Sequence, residues 1–384
     1  MFLNSALLLL AGSAMADPRE FSTIIPTGTF NPAAATAVQT EYPKDHHIAK
    51  GRLVDQIWHI VLDNADYDDA VNNPDLQYLA SKGILLDNYY AVESNSQANY
   101  LAMIGGDTFG LTEERFVSIP SNVSTLVESL ETNRVLWAQY TEDQPFTAFT
   151  GWEYPTSGNA SYSRAKNPFV AFDSVMEKPS RYNNLRALAS FEHDIEKHRF
   201  PQWKFIRPNL DHDGTNTNLE TAASWVRNFI DPYIADRKHY HRKLFIITFA
   251  RASSNTGPNK VWTCILGDMH EWERNTRDSN YYDHYSIPAS TIANYDLPSL
   301  GRYDCSANVF HIINVKCHQK NLMNPEITDN YNQGPFAGYL SDDSLSLPVP
   351  NLNCEGRGHS GLLRRVKKIW KKASLSYADW QVGY

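Results

Sequence analysis

The sequence predicts an α/β fold in which a mostly parallel β-sheet lies between layers of helices. Short apolar, β-prone segments alternate along the chain with segments whose apolar residues recur at helical spacing. Strands separated by helices pair in parallel and carry helices on both faces of the sheet. The chain has 384 residues, of which 42% are hydrophobic and 20% charged. It is therefore long enough to bury a large core and too apolar to be disordered.

The strands are predicted from apolar runs rich in β-branched and aromatic residues. In chain order they are Gln56–Leu62, Ile84–Tyr90, Val135–Tyr140, Trp203–Arg207, Leu244–Phe249 and Val261–Leu266. The helices are predicted from apolar residues that share a face, as Leu76, Leu79 and Ala80 do in the first of them. They cover Pro74–Ser81, Asn99–Ile104, Asn122–Leu130 with Ser121 as its N-cap, Leu185–Lys197 and Ala222–Ile230.

The N-terminus has the pattern of a secretory signal peptide. An apolar run over Ala6–Leu10 precedes Ala14-Met15-Ala16, which fits the small-x-small cleavage pattern. A short buried helix is the alternative interpretation. We expect residues 1–16 to be a signal peptide, residues 17–55 an N-terminal lead, and the protein to be secreted to the extracellular space or the cell wall. No other segment has the roughly 18 consecutive apolar residues that a transmembrane helix needs.

Glycosylation sequons and cysteines agree with secretion. Asn122 and Asn159 each begin an Asn-x-Ser sequon for N-glycosylation. The C-terminal third contains four cysteines, Cys264, Cys305, Cys317 and Cys354. Their spacing does not suggest a zinc site, so we expect one or two disulfide bonds with the pairing left open. The net charge of −8 argues against general nucleic-acid binding.

Polar side chains follow two of the predicted strands at their carboxyl ends. Asp63-Asn64 follows Gln56–Leu62, and the segment Ser94–Tyr100 follows Ile84–Tyr90. Ligands of open α/β sheets bind at the carboxyl ends of the strands. Ser96 begins the next helix there, where a serine can act as a nucleophile or metal ligand in phosphate-ester chemistry.

From about Gln56 to Phe310 the chain resembles the secreted, fungal-type acid phosphatase and phospholipase C family of phosphoesterases. The shared motifs include Tyr89-Tyr90-Ala91, Gly105-Gly106-Asp107, Ile119–Ser124, Phe172–Val175, Asp296-Leu297-Pro298 and Asn308-Val309-Phe310. The resemblance implies an alkaline-phosphatase-like fold and a phosphoesterase domain over residues 56–310. It also implies hydrolysis of phosphate esters, either small phosphomonoesters or phospholipid headgroups, with a divalent metal ion as cofactor.

The resemblance also implies roles for individual residues. The implied metal ligands are Asp63, Asn64 and Ser96, with Ser96 serving either as the nucleophile or as a ligand. The implied catalytic residues are Ser96, Asn99, Asp213 and His284. Asn99 would orient a phosphate oxygen, and His284 belongs to a retained His-Tyr-Ser motif.

Several of the family's ligand positions carry other residues here. The leading histidine of the serine motif is Ser94, His-Asn-Pro reads Lys166-Asn167-Pro168, and Gly-His-Asp reads Gly214-Thr215-Asn216. The Asp-Glu pair expected after Leu244–Phe249 reads Ala250-Arg251. An arginine donates hydrogen bonds only, so Arg251 is expected to bind phosphate rather than a metal. The loss of ligands undermines metal-assisted hydrolysis.

Two functions from different classes stay open. The first is a metal-dependent acid phosphatase, and the second is an inactive relative that binds an anionic ligand, a phosphorylated ligand or a protein in the same cleft. His212 follows the strand Trp203–Arg207 and could replace a lost metal ligand after a small loop shift, the alternative being a solvent-exposed turn. His59 alternates within a strand and is expected to be a core residue.

The C-terminal extension, residues 311–384, departs from the family. Within it, Leu362–Lys372 has apolar residues at helical spacing opposite six basic residues. Such a helix can contact an anionic membrane surface, or it can dock on this acidic domain. A gene-model error affecting residues 353–384, and also residues 250–258, is a third explanation.

Overall fold

The computed structural model describes residues 48–156, 158–196, 201–254, 257–321, 338–341 and 347–371. The predicted signal peptide and most of the predicted lead lie outside the described residues. No helix in the described ranges is long and apolar enough to cross a membrane.

A mostly parallel sheet of eight strands forms the centre of the molecule. The described strands are β1 (Gln56–Asn64), β2 (Ile84–Leu86), β3 (Tyr89–Tyr90), β4 (Trp137–Thr141), β5 (Glu153–Tyr154), β6 (Tyr162–Ser163), β7 (Leu185–Ala187), β8 (Trp203–Arg207), β9 (Lys243–Arg251), β10 (Thr263–Gly267), β11 (Thr276–Asp278) and β12 (Tyr282–Asp283). The central sheet has the order β11-β2-β10-β9-β1-β8-β4-β7. Only β10 runs antiparallel to its neighbours in it, so the predicted fold class is confirmed.

Helices cover both faces of this sheet. They are α1 (Tyr67–Asn72), α2 (Pro74–Ser81), α3 (Ser96–Gly105), α4 (Leu126–Thr132), α5 (Asp173–Met176), α6 (Pro179–Tyr182), α7 (Phe191–Glu196), α8 (Leu219–Ile234), α9 (Arg237–Tyr240), α10 (Ser286–Tyr295), α11 (His311–Cys317) and α12 (Arg364–Trp370). Successive strand residues point to opposite faces. On one face Trp58 of β1 packs against Tyr233 of α8. On the other, His59 packs against Trp203, whose indole donates to Thr291 of α10.

The predicted helix over Leu185–Lys197 is wrong in its first half. Leu185 to Ala187 form β7, which pairs in parallel with β4 at the edge of the sheet, Leu188–Ser190 is a 3₁₀ turn, and only Phe191–Glu196 is α-helical in the described part of the segment. The Arg186 guanidinium on β7 donates to Asp194 on α7 at 2.6 Å. Strand pairing and this ion pair are tertiary interactions, and the spacing of apolar residues along the chain cannot predict them.

Capping moves the start of another predicted helix. The helix predicted from Asn122 begins at Leu126, because Thr125 rather than Ser121 is its N-cap. The Thr125 hydroxyl accepts from the Val127 N–H, and the Glu128 carboxylate accepts from the Thr125 N–H at 2.8 Å. This is the reciprocal capping box of Thr-x-x-Glu. The predicted strand Ile84–Tyr90 is likewise divided, since β3 leaves the central sheet and pairs with β12.

A disulfide and an apolar contact attach part of the C-terminal extension to the body. Cys305 and Cys354 are bonded, whereas Cys264 and Cys317 are buried free thiols. The one-disulfide alternative is therefore the observed one. Val366 and Trp370 of α12 are buried, so the apolar side of this basic helix docks on the protein, as one of the predicted alternatives states.

Candidate active site

The carboxyl ends of three adjacent parallel strands gather the charged residues of the site. Asp63 lies near the end of β1, Arg207 ends β8 and Arg251 ends β9. β1 pairs with β8 on one side and with β9 on the other, and Asn64 lies opposite Arg251. The site is therefore at the sheet edge where the sequence predicts it.

Ser96 is the first residue of α3, and an arginine contacts its hydroxyl. The Asn95 side chain caps the helix by accepting from the Ala98 N–H at 2.9 Å. Arg251 Nε donates to Ser96 Oγ at 3.2 Å, and Arg251 Nη1 donates to the Ala252 carbonyl at 2.8 Å. A hydroxyl, a guanidinium and the positive end of a helix dipole therefore meet at one point, which favours an anion there.

Asp63 is buried in an ion pair with Lys166. Lys166 Nζ donates to Asp63 Oδ2 and also to Thr215 Oγ1 at 3.1 Å, and Thr215 Oγ1 donates to the same carboxylate oxygen at 3.0 Å. Burial alone would raise the pKa of Asp63, but the Lys166 ammonium and the Ser96 hydroxyl lower it below its usual value. Asp63 is therefore an anion neutralised by a protein cation.

A second buried ion pair adjoins the first. Arg207 Nη2 donates to Asp213 Oδ2, and both side chains are shielded from solvent. The Asp213 main-chain carbonyl accepts from the Asp63 N–H at 3.1 Å, which ties the two pairs together. Burial would lower the pKa of Arg207, but the Asp213 carboxylate raises it above its usual value. Arg207 is therefore a permanent cation beside Asp63.

Asn99 does not face the cleft in the manner implied by the resemblance. Its carbonyl oxygen accepts from the Val92 and Glu93 N–H groups, at 2.8 and 3.1 Å. Its amide nitrogen donates to the main-chain carbonyls of Glu93 and Asn95, at 2.6 and 3.0 Å. These four bonds occupy the amide of a fully buried side chain. Asn99 holds the loop that leads into Ser96.

His284 is also engaged away from Ser96. Its Nε2 lies 2.7 Å from the Ala250 carbonyl, and its Nδ1 lies 3.0 Å from the Tyr89 hydroxyl. A carbonyl only accepts, so Nε2 carries the proton and Nδ1 accepts from Tyr89. Burial lowers the pKa of His284 to about 4. A neutral His284 thus fixes the end of β9, next to Arg251.

His212 does not take the place of a lost metal ligand. Its Nδ1 lies 2.8 Å from Glu142 Oε2, and its ring stacks on Trp225 at 6.2 Å between centroids. The side chain is about two-fifths exposed. This arrangement corresponds to the polar-turn alternative, because the Glu142 carboxylate and the Trp225 ring hold the imidazole.

Four residues contribute to the site in ways that the sequence motifs do not indicate. Lys166 and Thr215 occupy positions where the family has histidines, yet both bind Asp63. Glu114 lies on the exposed loop after α3 and interacts electrostatically with both Lys166 and Asp63. Although the residue is exposed, the protein around its carboxyl removes part of the solvent there and so raises the pKa of Glu114. The sequence offered one sign of the role of Arg207, which is a charged residue at the end of an apolar strand. It offered no such sign for Glu114.

The divalent metal implied by the resemblance does not fit these residues. Oδ2 of Asp63 already accepts from Lys166 and Thr215, and Ser96 Oγ accepts from Arg251, so the Asp63 carboxylate has only Oδ1 without a partner among the described residues. Within the described ranges, no three histidine, cysteine, aspartate or glutamate side chains form a group that could hold a metal. A dication needs several oxygen or imidazole ligands to offset its dehydration. No catalytic step through a metal is therefore derived for this chain.

The fold and the site define a class, that of α/β proteins with a serine at the start of a helix beside the carboxyl edge of a parallel sheet. The model of the Phosphoesterase family matches residues 64–251. A probable acid phosphatase of Kluyveromyces lactis is 36% identical over 368 residues, which are 94% of this chain and 86% of that protein. The phosphate-repressible acid phosphatase of Penicillium chrysogenum is 35% identical, over 90% of this chain and 84% of that protein. The chain belongs to the phosphoesterase family.

More distant proteins are also similar. The phosphatidylinositol-3-phosphatase of Mycobacterium tuberculosis is 22% identical over 241 residues, which are 59% of this chain and 71% of that protein. A solved structure from the alkaline phosphatase superfamily, from Vibrio parahaemolyticus, aligns with a TM-score of 0.41 and 12% identity. That alignment covers 68% of this chain and 73% of the other.

Proposed function

We propose that this protein hydrolyses phosphate esters with Ser96 as the nucleophile. The observation that carries the proposal is the contact of Arg251 Nε with Ser96 Oγ at the start of α3. It brings the attacking oxygen and a cation able to hold phosphate oxygens to the same point. The acid phosphatase names of the relatives from Kluyveromyces lactis and Penicillium chrysogenum support the same reaction class.

Beyond the Ser96 nucleophile, the reaction needs mainly positioning and charge stabilisation from the protein. Transfer of a phosphoryl group depends mainly on positioning and on stabilising the charge of the equatorial oxygens. Ser96 Oγ would form a bond to phosphorus as the ester oxygen leaves, while its proton passes toward the nearby Asp63 carboxylate, whose Oδ1 has no hydrogen-bond partner among the described residues. Glu114, whose pKa is raised, is the group proposed to protonate the leaving alcohol. Water then cleaves the phosphoserine and releases inorganic phosphate.

We propose phosphomonoesters as substrates and secretion as the destination. The mycobacterial relative is named for action on a phosphoinositide, so a phospholipid headgroup is the second substrate class considered. The signal-peptide pattern of residues 1–16 supports secretion, and the sequon residue Asn159 is exposed, as glycosylation requires. Because α12 buries its apolar side, a membrane contact of Leu362–Lys372 would have to use the basic face.

The alternative function is phosphate binding without turnover. It is favoured by the Lys166 ammonium, which neutralises Asp63 where the family resemblance implies a metal ligand. In that case the cleft would retain a phosphorylated ligand, and Ser96 would act only as a hydrogen-bonding group. The two functions share the same recognition chemistry and differ in whether a covalent intermediate forms.

The test is turnover of p-nitrophenyl phosphate at acid and neutral pH by the full chain and by Ser96→Ala. Hydrolysis by a Ser96 nucleophile predicts a loss of at least about a hundredfold in kcat in the variant. Ser94→Ala is the matched control, because Ser94 is an exposed serine two residues away. Acid quenching followed by mass spectrometry should find phosphate on Ser96. Turnover that survives in Ser96→Ala would contradict the nucleophile, and background turnover in both would favour the binding function.

A further inference from the structure

We propose that phosphate binds in this site without a metal ion, because Lys166, Arg207 and Arg251 take the electrostatic role of the metal. The inference rests on the proposed function only in placing the phosphoryl group at Ser96. It goes beyond that function because it assigns the groups that neutralise the bound anion. It also predicts chelator resistance, which the family resemblance does not.

The balance of charge in the site favours an anion. Three cations, Lys166, Arg207 and Arg251, face two buried carboxylates, Asp63 and Asp213, so these five groups carry one excess positive charge. Glu114, proposed above as a protonated acid, adds no charge in that state. Each carboxylate is already paired with one of the cations. The excess therefore resides at Arg251, beside the Ser96 hydroxyl. A phosphate monoanion would neutralise the cluster where the helix dipole also favours negative charge.

The cations retain unused hydrogen-bond donors. Lys166 Nζ uses two of its three hydrogens, on Asp63 and Thr215. Arg207 is fully buried; its Nε and Nη1 make no hydrogen bond of good geometry within the described part of the chain, although the Tyr100 hydroxyl interacts with the guanidinium. Buried donors without partners are costly, and phosphate oxygens are strong acceptors for guanidinium groups. These unused donors therefore suit an oxyanion.

The same arrangement opposes a divalent cation. The Lys166 ammonium is in direct contact with Asp63, the implied ligand. A dication bound to that carboxylate would lie within a few ångströms of the ammonium charge, and their repulsion is strong in a poorly solvated site. Neither an ammonium nor a guanidinium has a lone pair to offer a metal. Displacing Lys166 would in turn leave a buried ammonium without its partner.

The test measures inorganic phosphate binding to the full chain by isothermal titration calorimetry in EDTA. We expect a dissociation constant that changes by less than about twofold when EDTA is replaced by Mn²⁺ or Zn²⁺. Elemental analysis of the same protein should find no stoichiometric metal. Binding that requires a metal, or a metal that persists at one equivalent per chain, would overturn the inference.

Two variants identify the cations. Arg251→Gln should weaken phosphate binding by about tenfold or more, because it removes a charged donor. Arg237→Gln is the matched control, since that arginine is about three-quarters exposed. The double variant D63N/K166Q replaces the buried ion pair with a neutral pair and avoids an unpaired charge. It should fold and, because it removes the Lys166 donor but leaves the net charge of the cluster unchanged, weaken phosphate binding less than Arg251→Gln does. Unchanged affinity in both Arg251→Gln and D63N/K166Q would refute the role of the cations.

The outcomes separate this inference from the proposed function. Phosphate binding in EDTA without turnover of p-nitrophenyl phosphate would support the inference and contradict hydrolysis. Turnover and phosphate binding that both require added metal would contradict the inference and leave hydrolysis in place. Chelator-resistant turnover that depends on both Ser96 and Arg251 would support both.

Discussion

Replacing His59 by leucine is expected to make the protein more resistant to acid. His59 lies in β1, is 1% exposed, and neither of its ring nitrogens has a hydrogen-bond partner among the described residues. Its ring packs against Trp203 with 5.3 Å between centroids. Burial in this apolar setting lowers the pKa of His59 from 6.5 to about 3. The folded protein therefore keeps the imidazole neutral under mildly acidic conditions.

The size of the effect follows from proton linkage. Between the two pKa values the unfolded chain binds a proton that the folded chain excludes, so acidification favours unfolding. Stability from this group is complete above the unfolded pKa of 6.5 and decreases as the pH falls toward about 3. Each pKa unit corresponds to about 1.4 kcal/mol, so lowering the pH from 7 to 5 costs about 2 kcal/mol.

The assay is urea unfolding of the wild type and His59→Leu at pH 7 and pH 5. We expect the wild type to lose about 2 kcal/mol more unfolding free energy than the variant between the two pH values. Ile57→Val is the matched control, because Ile57 is buried on the same side of the same strand and does not titrate. If the difference between wild type and His59→Leu is the same at both pH values, the reasoning is refuted.

Three further predictions concern Glu114, the disulfide and Asn99. Glu114→Gln should slow hydrolysis of an alkyl phosphate by about tenfold or more. It should leave hydrolysis of p-nitrophenyl phosphate unchanged, because that leaving group needs no proton. Equal effects on both substrates would exclude Glu114 as the proton donor. Cys305→Ser removes the disulfide with Cys354, which closes a loop of 49 residues. It should lower the unfolding free energy, measured by urea unfolding, by about 4 kcal/mol. An unchanged urea midpoint would contradict this prediction. Asn99→Ala should destabilise the fold by about 3 kcal/mol and leave phosphate affinity unchanged. Calorimetry on the folded variant measures that affinity. A selective loss of affinity would instead favour direct contact between Asn99 and phosphate.

The parts of the fold that the sequence predicts best are those governed by local pattern. Trp203–Arg207 and Pro74–Ser81 have the predicted bounds, since a short apolar strand and a Pro-initiated helix are defined by their own residues. The helix predicted over Leu185–Lys197 is wrong in its first half, because pairing with β4 stabilises a strand there despite the helical spacing of the apolar residues. Pattern alone also leaves strand direction open, and β10 runs antiparallel between β2 and β9.

The position of the site was predictable, whereas several residue roles were not. Asp63 and Ser96 follow strands at the carboxyl edge of the sheet, so sequence order and sheet topology were sufficient to place them together. The roles of Asn99 and His284 depend on which groups surround them. Their hydrogen bonds to main-chain carbonyls and N–H groups arise from tertiary neighbours. The spacing of residues in the motifs that contain Asn99 and His284 does not predict these hydrogen bonds.

At Lys166, the sequence alone cannot distinguish the loss of a metal-ligating histidine from the gain of a phosphate-binding cation. Read alone, a lysine in place of histidine removes a neutral metal ligand. In the fold, its ammonium reaches Asp63 across more than 100 residues of sequence and supplies the charge that a metal would supply. Arg251 changes the sign of a second position and contacts Ser96. Two substitutions at one site that both add positive charge, together with a retained serine, are more consistent with an altered means of holding phosphate than with decay.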